Sequence, residues 1–342
     1  MQSSRADPAL RALDRALDAE LMLPLVAQAA GLTAEERAGL RCSPDVLNHK
    51  PGRRCTIRYT LARSSGQQTL GSIPPVIGKL YRSRDRAMRA YERMEALGST
   101  EPGGCGVPSI PACLMPVRSL GLFFQECVDG TELDHVVASE EADAAVVLAA
   151  RWLLRLHASP RLAGLRELSF EHALTKVDDW CTEIAARLSP SGAAGLRRAR
   201  DGLHELAAAM PGCSPAMIHR DFYHAQVLWN GQRIWVLDFD ELCVGDPALD
   251  VGHFLAHLEY KAYLWTGRAD AFQESEAVFA GTYRESAPID PEPRLPFYRA
   301  YTFLKLAHTE VARRRGEWRR LARVLLGLAG RALDGGAAPW NR

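Results

Sequence analysis

The segment Ile218–Asp240 reads IHRDFYHAQVLWNGQRIWVLDFD, and the rest of the chain is organised around it. It carries His219-Arg220-Asp221 and, 17 residues after Asp221, the Asp238 of an Asp-Phe-Asp. Between the two acids, Val227 to Trp229 and Arg233 to Leu237 are short apolar and β-branched runs, with the turn dipeptide Asn230-Gly231 between them. That pattern predicts a two-stranded hairpin. A hairpin folds the chain back on itself, so the carboxylates that precede and follow it arrive at one edge. Two acids so placed suit a division of labour in which one, on a loop, accepts a proton from an attacking hydroxyl and the other holds a magnesium ion that bridges nucleotide phosphates.

Downstream the chain continues Gly245-Asp246-Pro247-Ala248-Leu249-Asp250-Val251-Gly252. The ordered series of His219, Asp221, an amide five residues later at Gln226, the hairpin, Asp-Phe-Asp and this block resembles the catalytic and metal loops of the protein-kinase-like fold. More specifically it resembles the aminoglycoside phosphotransferase and choline kinase group of small-molecule kinases. The resemblance implies an α+β, two-lobed fold, with a small antiparallel N-lobe sheet carrying one helix and a mostly helical C-lobe. It also implies ATP and Mg2+ as cofactors, with the γ-phosphoryl group passing to a hydroxyl of a small molecule such as an aminoglycoside-like antibiotic, an amino alcohol or a sugar. Asp221 would then be the catalytic base or hydroxyl orienter, braced by His219. Asp238 would be the main magnesium ligand, with Asp240 assisting the metal or facing solvent. Asp250 would hold the loop backbone by accepting amide hydrogen bonds. Two positions depart from the family pattern. Arg220 stands where small-molecule kinases usually carry a small residue. Gln226 stands where the pattern has a metal-binding asparagine; its amide oxygen sits one methylene further out, and magnesium demands near-octahedral geometry, so a second metal is in question.

Working upstream, Pro75-Val76-Ile77-Gly78-Lys79-Leu80-Tyr81 predicts a strand with a lysine inside it, which is costly unless the charge is paired. The resemblance makes Lys79 the contact to the α and β phosphates, held by a glutamate of the helix over Arg84 to Leu97. Glu92 and Glu95, three apart on nearly one face, are the candidates, with Glu92 slightly favoured. Val46 to Lys50 and Cys55 to Leu61 read as a hairpin around Pro51-Gly52-Arg53-Arg54. If that turn covers phosphates, Arg53 or Arg54 would supply the charge that missing glycine amides do not. Val107 to Met115 and Gly121 to Val128 read as two more strands. By resemblance the second ends at the hinge, where the backbone of Glu126, Cys127 and Val128 would bind the adenine edge.

Asp7 to about Gly31 has leucines at three- and four-residue spacing and predicts one amphipathic helix. From Thr131 onward, apolar stripes predict helices over Glu140 to His157, Phe170 to Leu188 and Ala193 to Met210, then about 249–265, 269–284, 295–315 and 317–333. His157, His253 and His257 read as structural histidines. The implied organisation is a helical extension over 1–44, an N-lobe over 45–128 and a C-lobe over 129–342.

With 47% hydrophobic and 24% charged residues, the composition is that of a soluble enzyme of 342 residues. The 42 basic against 41 acidic residues leave a net charge of +1, so no global field favours nucleic acid or an anionic membrane. Charges at Arg5, Asp7, Arg11 and Asp14 interrupt any secretory leader, and no apolar run reaches membrane-spanning length. The eight cysteines include no Cys-x-x-Cys pair, which points to reduced thiols and a cytoplasmic protein without structural zinc. An Ala-Pro-Glu segment is missing after Asp-Phe-Asp, which disfavours a protein kinase. The rival is a non-catalytic, nucleotide-binding or regulatory protein of the same fold; joint retention of Lys79, Asp221 and Asp238 favours the enzyme.

Overall fold

The computed structural model describes residues 7–63, 73–100, 110–188, 190–288 and 290–335. The chain forms two compact units, one up to Asp129 and the other from Gly130.

The first unit is built on a five-stranded antiparallel sheet of β1 (Leu40–Lys50), β2 (Arg54–Arg63), β3 (Val76–Tyr81), β4 (Cys113–Val117) and β5 (Leu122–Glu126), in the order β1-β2-β3-β5-β4. In β2, Cys55, Ile57, Tyr59 and Leu61 are buried while Arg58 and Thr60 between them are exposed, the period of two that a one-sided sheet imposes. β1 begins six residues before the expected Val46, because Leu40 and Cys42 continue the buried alternation. Pro44, which hides this strand in the sequence, is tolerated because β1 lies at the sheet edge, where a missing amide donor breaks no inner ladder. The fourth strand starts at Cys113, and residues 107–109 of the expected strand lie outside the described residues.

Two helices replace the single N-terminal one, α1 (Leu13–Ala16) and α2 (Ala19–Ala29). The break is at Asp18, whose carboxylate caps α2 by accepting from the amides of Glu20 and Leu21. Leu10, Leu13, Met22 and Val26 pack with Ile57, Tyr59, Leu80 and Phe124 on one sheet face. Tyr59 Oη donates to the Ala16 carbonyl at 2.7 Å. Gly78 makes room for that tyrosine, since a Cβ there would lie 2.7 Å from its ring. The opposite face carries Lys79, Tyr81 and Phe123 beneath α3 (Arg84–Thr100), with Tyr91 edge-on to Phe123 at 5.9 Å.

In the second unit, β6 (Thr131–Glu132) and α4 (Leu133–Val136) lead into α5 (Ala142–Ala158), α6 (Phe170–Ala185) and α7 (Pro190–Ala209). Then come β7 (Ala216–Ile218), β8 (Val227–Trp229), β9 (Ile234–Val236) and β10 (Cys243–Gly245). The unit closes with α8 (Ala248–Thr266), α9 (Gln273–Ser286), α10 (Leu295–Arg313) and α11 (Trp318–Leu333). β8 and β9 form the expected hairpin, turned by Gly231 at φ +89°, with the Asn230 side chain accepting from the amides of Gln232 and Arg233. β10 pairs with β7, so the segments flanking the hairpin are themselves clamped together. Trp152 of α5 stacks on Phe222 at 5.7 Å, and Phe254 on Phe279 at 3.9 Å, beneath this framework. Gly252 sits where α8 meets α10; a Cβ there would lie 2.7 Å from Tyr298 Cβ.

The seven described cysteines are free thiols, and Cys105 lies outside the described residues. Among the described residues no helix is long and apolar enough to cross a membrane.

Candidate active site

The loop after β7 is organised by one buried carboxylate. Asp250, in the first turn of α8 and fully buried, accepts from the His219 amide on Oδ2 at 2.7 Å and from the Arg220 amide on Oδ1 at 2.6 Å. Its Oδ2 also faces His157 Nε2 at 3.1 Å. A carboxylate only accepts, so Nε2 carries the proton, and His157 Nδ1 takes the Tyr283 hydroxyl at 2.6 Å. These bonds hold Arg220 in the left-handed region at φ +69°, a conformation that costs a non-glycine residue on the order of 1–3 kcal/mol. The Arg220 guanidinium is in turn bridged to Glu241, which also accepts from Arg166 at 2.7 Å.

His219 ties this loop to the end of the hairpin. Its ring is fully buried against Trp152, Phe222 and Phe239. Nε2 donates to the Leu237 carbonyl at 2.9 Å, which leaves Nδ1 to accept from the Asp221 amide at 3.3 Å. One neutral tautomer therefore fixes Asp221 relative to the residue before Asp238.

The Asp221 side chain meets two partners that the sequence does not announce. Lys305 Nζ of α10 donates to Oδ1 at 3.2 Å, and His253 Nε2 of α8 lies 3.5 Å from the same oxygen. Burial alone pushes this carboxyl up, but Lys305 and His253 outweigh it and hold it well below the usual carboxylate range. Asp221 is thus ionised at neutral pH. Burial and the neighbouring Lys305 hold His253 below its ordinary value, and burial with His253 and Lys305 holds His257 far below. Both are neutral, and their rings lie tilted at 55° to each other with centroids 4.4 Å apart.

Asp238 begins the turn after β9, also left-handed at φ +65°, and Asp240 follows in a 3-10 turn over Phe239–Glu241. Two of the three described non-glycine residues with positive φ, Arg220 and Asp238, thus flank this one site, as strained backbone tends to. Tyr223 lies among the acids. Burial raises its hydroxyl to about 12, and the negative charges of Asp221, Asp238 and Glu132 push the same way. Gln226 closes the 3-10 turn His224–Gln226, its backbone carbonyl accepting from Leu237 at 2.8 Å and its side-chain Nε2 donating to Tyr223 Oη at 3.3 Å. With the nitrogen committed to Tyr223, the amide oxygen is the end of Gln226 left for a hard cation. Among the described residues no cluster of three or more His, Cys, Asp or Glu is arranged to hold a metal. A carboxylate plus an amide fits magnesium all the same, since that ion keeps several waters and takes one or two carboxylates together with phosphates.

In the first unit, Lys79 shares its sheet face with Phe123, on which Tyr91 of α3 packs. Glu92 and Glu95 are both exposed on α3, but they differ in direction. Glu95 accepts from Tyr91 Oη at 3.0 Å, and Cys113 Sγ donates to the Tyr91 carbonyl at 3.8 Å. Burial pushes the Cys113 thiol up to about 12, with Glu95 adding to the shift and Lys79 opposing it. Glu95 and Lys79 therefore act on one point, whereas Glu92 has no such link among the described contacts. The β1–β2 turn is held from the N-terminal side: Asp7 accepts from the Gly52 amide at 2.8 Å and contacts His49 Nε2 at 2.9 Å. Arg53 is exposed at this turn and Arg54 opens β2, half-buried. At the far end of β5, Glu126 keeps its ladder through the Ala112 carbonyl at 2.9 Å, while Cys127 and Val128 have left the strand.

Sequence reasoning missed Tyr223, Lys305, His253 and His257. Only His253, three residues after Asp250 and thus on nearly the same face of α8, had a local signal.

Comparison with known proteins completes the description. No curated protein matches the sequence. Among solved structures, a thermostable mutant of aminoglycoside phosphotransferase APH(4)-Ia, in ternary complex with AMP-PNP and hygromycin B, superposes with a TM-score of 0.60 at 14% identity, covering 91% of this chain and 98% of that one. A choline/ethanolamine kinase family protein from Mesorhizobium loti gives 0.61 at 14% identity, with 96% of each chain covered. A choline kinase from Cryptosporidium parvum Iowa II gives 0.64 at 11% identity, covering 94% and 98%. The fold is thus the protein-kinase-like one of these small-molecule kinases. The family model described as "Phosphotransferase enzyme family" matches residues 69–289, which include Lys79, the loop at Asp221, Asp238 and Asp250, and the chain belongs to that family.

Proposed function

We propose that this chain uses ATP and magnesium to transfer the γ-phosphoryl group to a hydroxyl of a small molecule. The observation that carries the reading is the ionised Asp221. It is fixed through His219 and Asp250, and the charge of Asp238, the acid of the hairpin's other end, acts on the same Tyr223 phenol as the charge of Asp221. Lys305 and His253 both address Oδ1, which leaves Oδ2 to take the proton of an acceptor hydroxyl. As that proton moves, the acceptor oxygen bonds to the γ-phosphorus and the bond to ADP breaks. Asp238, with Asp240 and the Gln226 oxygen, would hold magnesium, which when bound neutralises charge on the phosphate oxygens. Lys79, oriented by Glu95 in preference to Glu92, would contact the α and β phosphates. The backbone of Glu126, Cys127 and Val128 would bind adenine, and Arg53 with Arg54 would add positive charge near the phosphates. The neighbour solved with AMP-PNP and hygromycin B supports a nucleotide and a hydroxylated acceptor for this fold.

Thermal unfolding with and without Mg-ATP tests the reading. Binding to the native state alone adds about 2.7 kcal/mol at a hundredfold excess over Kd. An unchanged melting temperature at millimolar Mg-ATP removes the nucleotide site and the enzyme with it. A second reading, nucleotide binding without turnover, is favoured by one observation: the Gly52 amide of the β1–β2 turn is occupied by the Asp7 carboxylate, which also brings negative charge to that turn. Stabilisation by Mg-ATP with no transfer to water or to any acceptor would support it.

A further inference from the structure

Glycine takes a positive φ at no steric cost, yet the residue at φ +69° between His219 and Asp221 is an arginine. A strained backbone position filled by the costlier residue points to a use for its side chain. That side chain reaches Glu241, where Arg220 Nη1 donates to Oε2, and Arg166 Nη2 donates to the same oxygen at 2.7 Å.

The strands explain why these three side chains meet. β7 and β10 are antiparallel with Ile218 opposite Cys243, so the same register carried two residues further sets Arg220 opposite Glu241. β7 ends at Ile218 because the amides of His219 and Arg220 turn to Asp250, and the ion pair takes over where the backbone pairing stops. On the other side of β10, residues 166–168 run parallel to it: the Val244 amide donates to the Arg166 carbonyl at 3.0 Å, and the Leu168 amide to the Val244 carbonyl at 2.8 Å. The two arginines thus come from the segments on both flanks of β10 and close on the residue two before it.

Glu241 ends the 3-10 turn Phe239–Glu241 that follows Asp238, so whatever holds Glu241 holds the far side of that turn. The near side is held by His219, which donates to the Leu237 carbonyl at 2.9 Å and packs on Phe239 with ring centroids 5.2 Å apart. Asp238 and Asp240 therefore sit between two tethers, anchored in neighbouring residues of one loop. Most of the weight falls on Arg220: its side chain and that of Glu241 are 22% and 33% exposed, whereas Arg166 is 52% exposed and more screened by water. We propose that Arg220, helped by Arg166, is a positioning residue that acts through Glu241 to set the turn carrying Asp238 and Asp240 for magnesium. The inference rests on the phosphotransferase reading, in which these acids hold the metal. Glycine at position 220 would relieve the strain but remove the better-buried of these two guanidiniums from Glu241.

Magnesium titrated at fixed AMP-PNP on the full chain, with nucleotide binding read by calorimetry, tests this alongside urea unfolding of the unliganded proteins. Arg220→Gly raises the magnesium concentration for half-maximal AMP-PNP binding about fivefold, and Glu241→Gln raises it to a similar extent. Both changes break one link, so the double variant shifts the requirement no further than the larger single change. Arg220→Lys, which keeps the charge without the planar fork, shifts it less than Arg220→Gly, and Arg166→Gln shifts it less than about twofold. In the unliganded protein Arg220→Gly leaves the urea midpoint unchanged or raises it, because relief of the strained φ offsets the lost ion pair. An arginine that only supports the fold gives the opposite pair, a lower midpoint with an unchanged magnesium requirement, and that result overturns the proposal. Additive shifts in the double variant, or a Glu241→Gln titration that superimposes on the wild type, overturn it as well. Should Arg220→Gly not fold, Arg220→Lys and Glu241→Gln carry the test. Superimposed titrations on a wild type that binds AMP-PNP leave the phosphotransferase reading standing, whereas a wild type that does not bind AMP-PNP with magnesium overturns both.

Discussion

Replacing Asp250 with asparagine probes the scaffold of the loop that carries Asp221 through a single atom. Each carboxylate oxygen receives a backbone amide, His219 N on Oδ2 and Arg220 N on Oδ1, and His157 adds a third donor on Oδ2. Whichever way the asparagine turns, its NH2 group faces a backbone N–H. One charge-assisted bond is lost, worth about 1.5–3 kcal/mol, and a buried N–H is left without an acceptor, costing about 1–3 kcal/mol more. The surviving bond also loses its charge. The expected destabilisation is therefore about 3–5 kcal/mol, the range seen when one partner of a buried charged network is removed. All seven tryptophans follow Gly130, so tryptophan fluorescence during urea unfolding reports on the second unit alone. The urea midpoint should fall at unchanged slope. The folded variant should also lose phosphoryl transfer, since Arg220 at φ +69° has lost the bond that held it and carries Asp221 with it. A destabilisation under about 1 kcal/mol would refute the reasoning, because no buried carboxylate with three donors can be that dispensable.

Three further outcomes are expected. His257 is held far below its ordinary value, first by burial and then by His253 and Lys305, so between that folded value and about 6.5 the unfolded chain binds more protons than the folded one. Stability therefore rises with pH across this window and is lost as the pH falls below about 6.5; the drop in urea midpoint between pH 7.5 and 5.5 should be smaller in His257→Gln, and an equal drop contradicts the assignment. Glu95→Gln should weaken ATP binding about tenfold while Glu92→Gln changes it less than about twofold, measured by nucleotide titration, and the reverse order would restore Glu92 as the partner of Lys79. Gln226→Ala should raise the magnesium concentration for half-maximal transfer and Gln226→Asn should largely restore it; superimposed magnesium titrations would mean that Gln226 only holds Tyr223.

The parts of the fold that were legible beforehand are those written in short-range pattern. The β8–β9 hairpin follows from Asn230-Gly231 between two apolar runs, and the helices of the second unit follow from their apolar stripes. Elements whose pattern is interrupted were misread: Pro44 hid the first residues of β1, and Asp18 cut in two what leucine spacing alone joins. The Asp-x-x-x-x-amide spacing and Asp-Phe-Asp pointed to the loops around Asp221 and Asp238. Their electrostatic setting did not show, because it is made by distant residues. Lys305 is 84 positions from Asp221, and a lysine on a helix is by default a solvated one. His253 and His257 at i, i+4 look like packing residues until the loop carrying Asp221 is laid against them. The Asp7 contact to Gly52 spans 45 positions and leaves no trace in either segment.

The central claim is that Asp221 takes the acceptor proton in a magnesium- and ATP-dependent transfer. The direct measurement is release or transfer of the γ-phosphoryl group from labelled ATP, to water or to an acceptor, by wild type and by Asp221→Asn, alongside Mg-ATP affinity for both. The account predicts a loss of about a hundredfold or more in turnover with ATP affinity nearly unchanged. Equal turnover in the two proteins would contradict it.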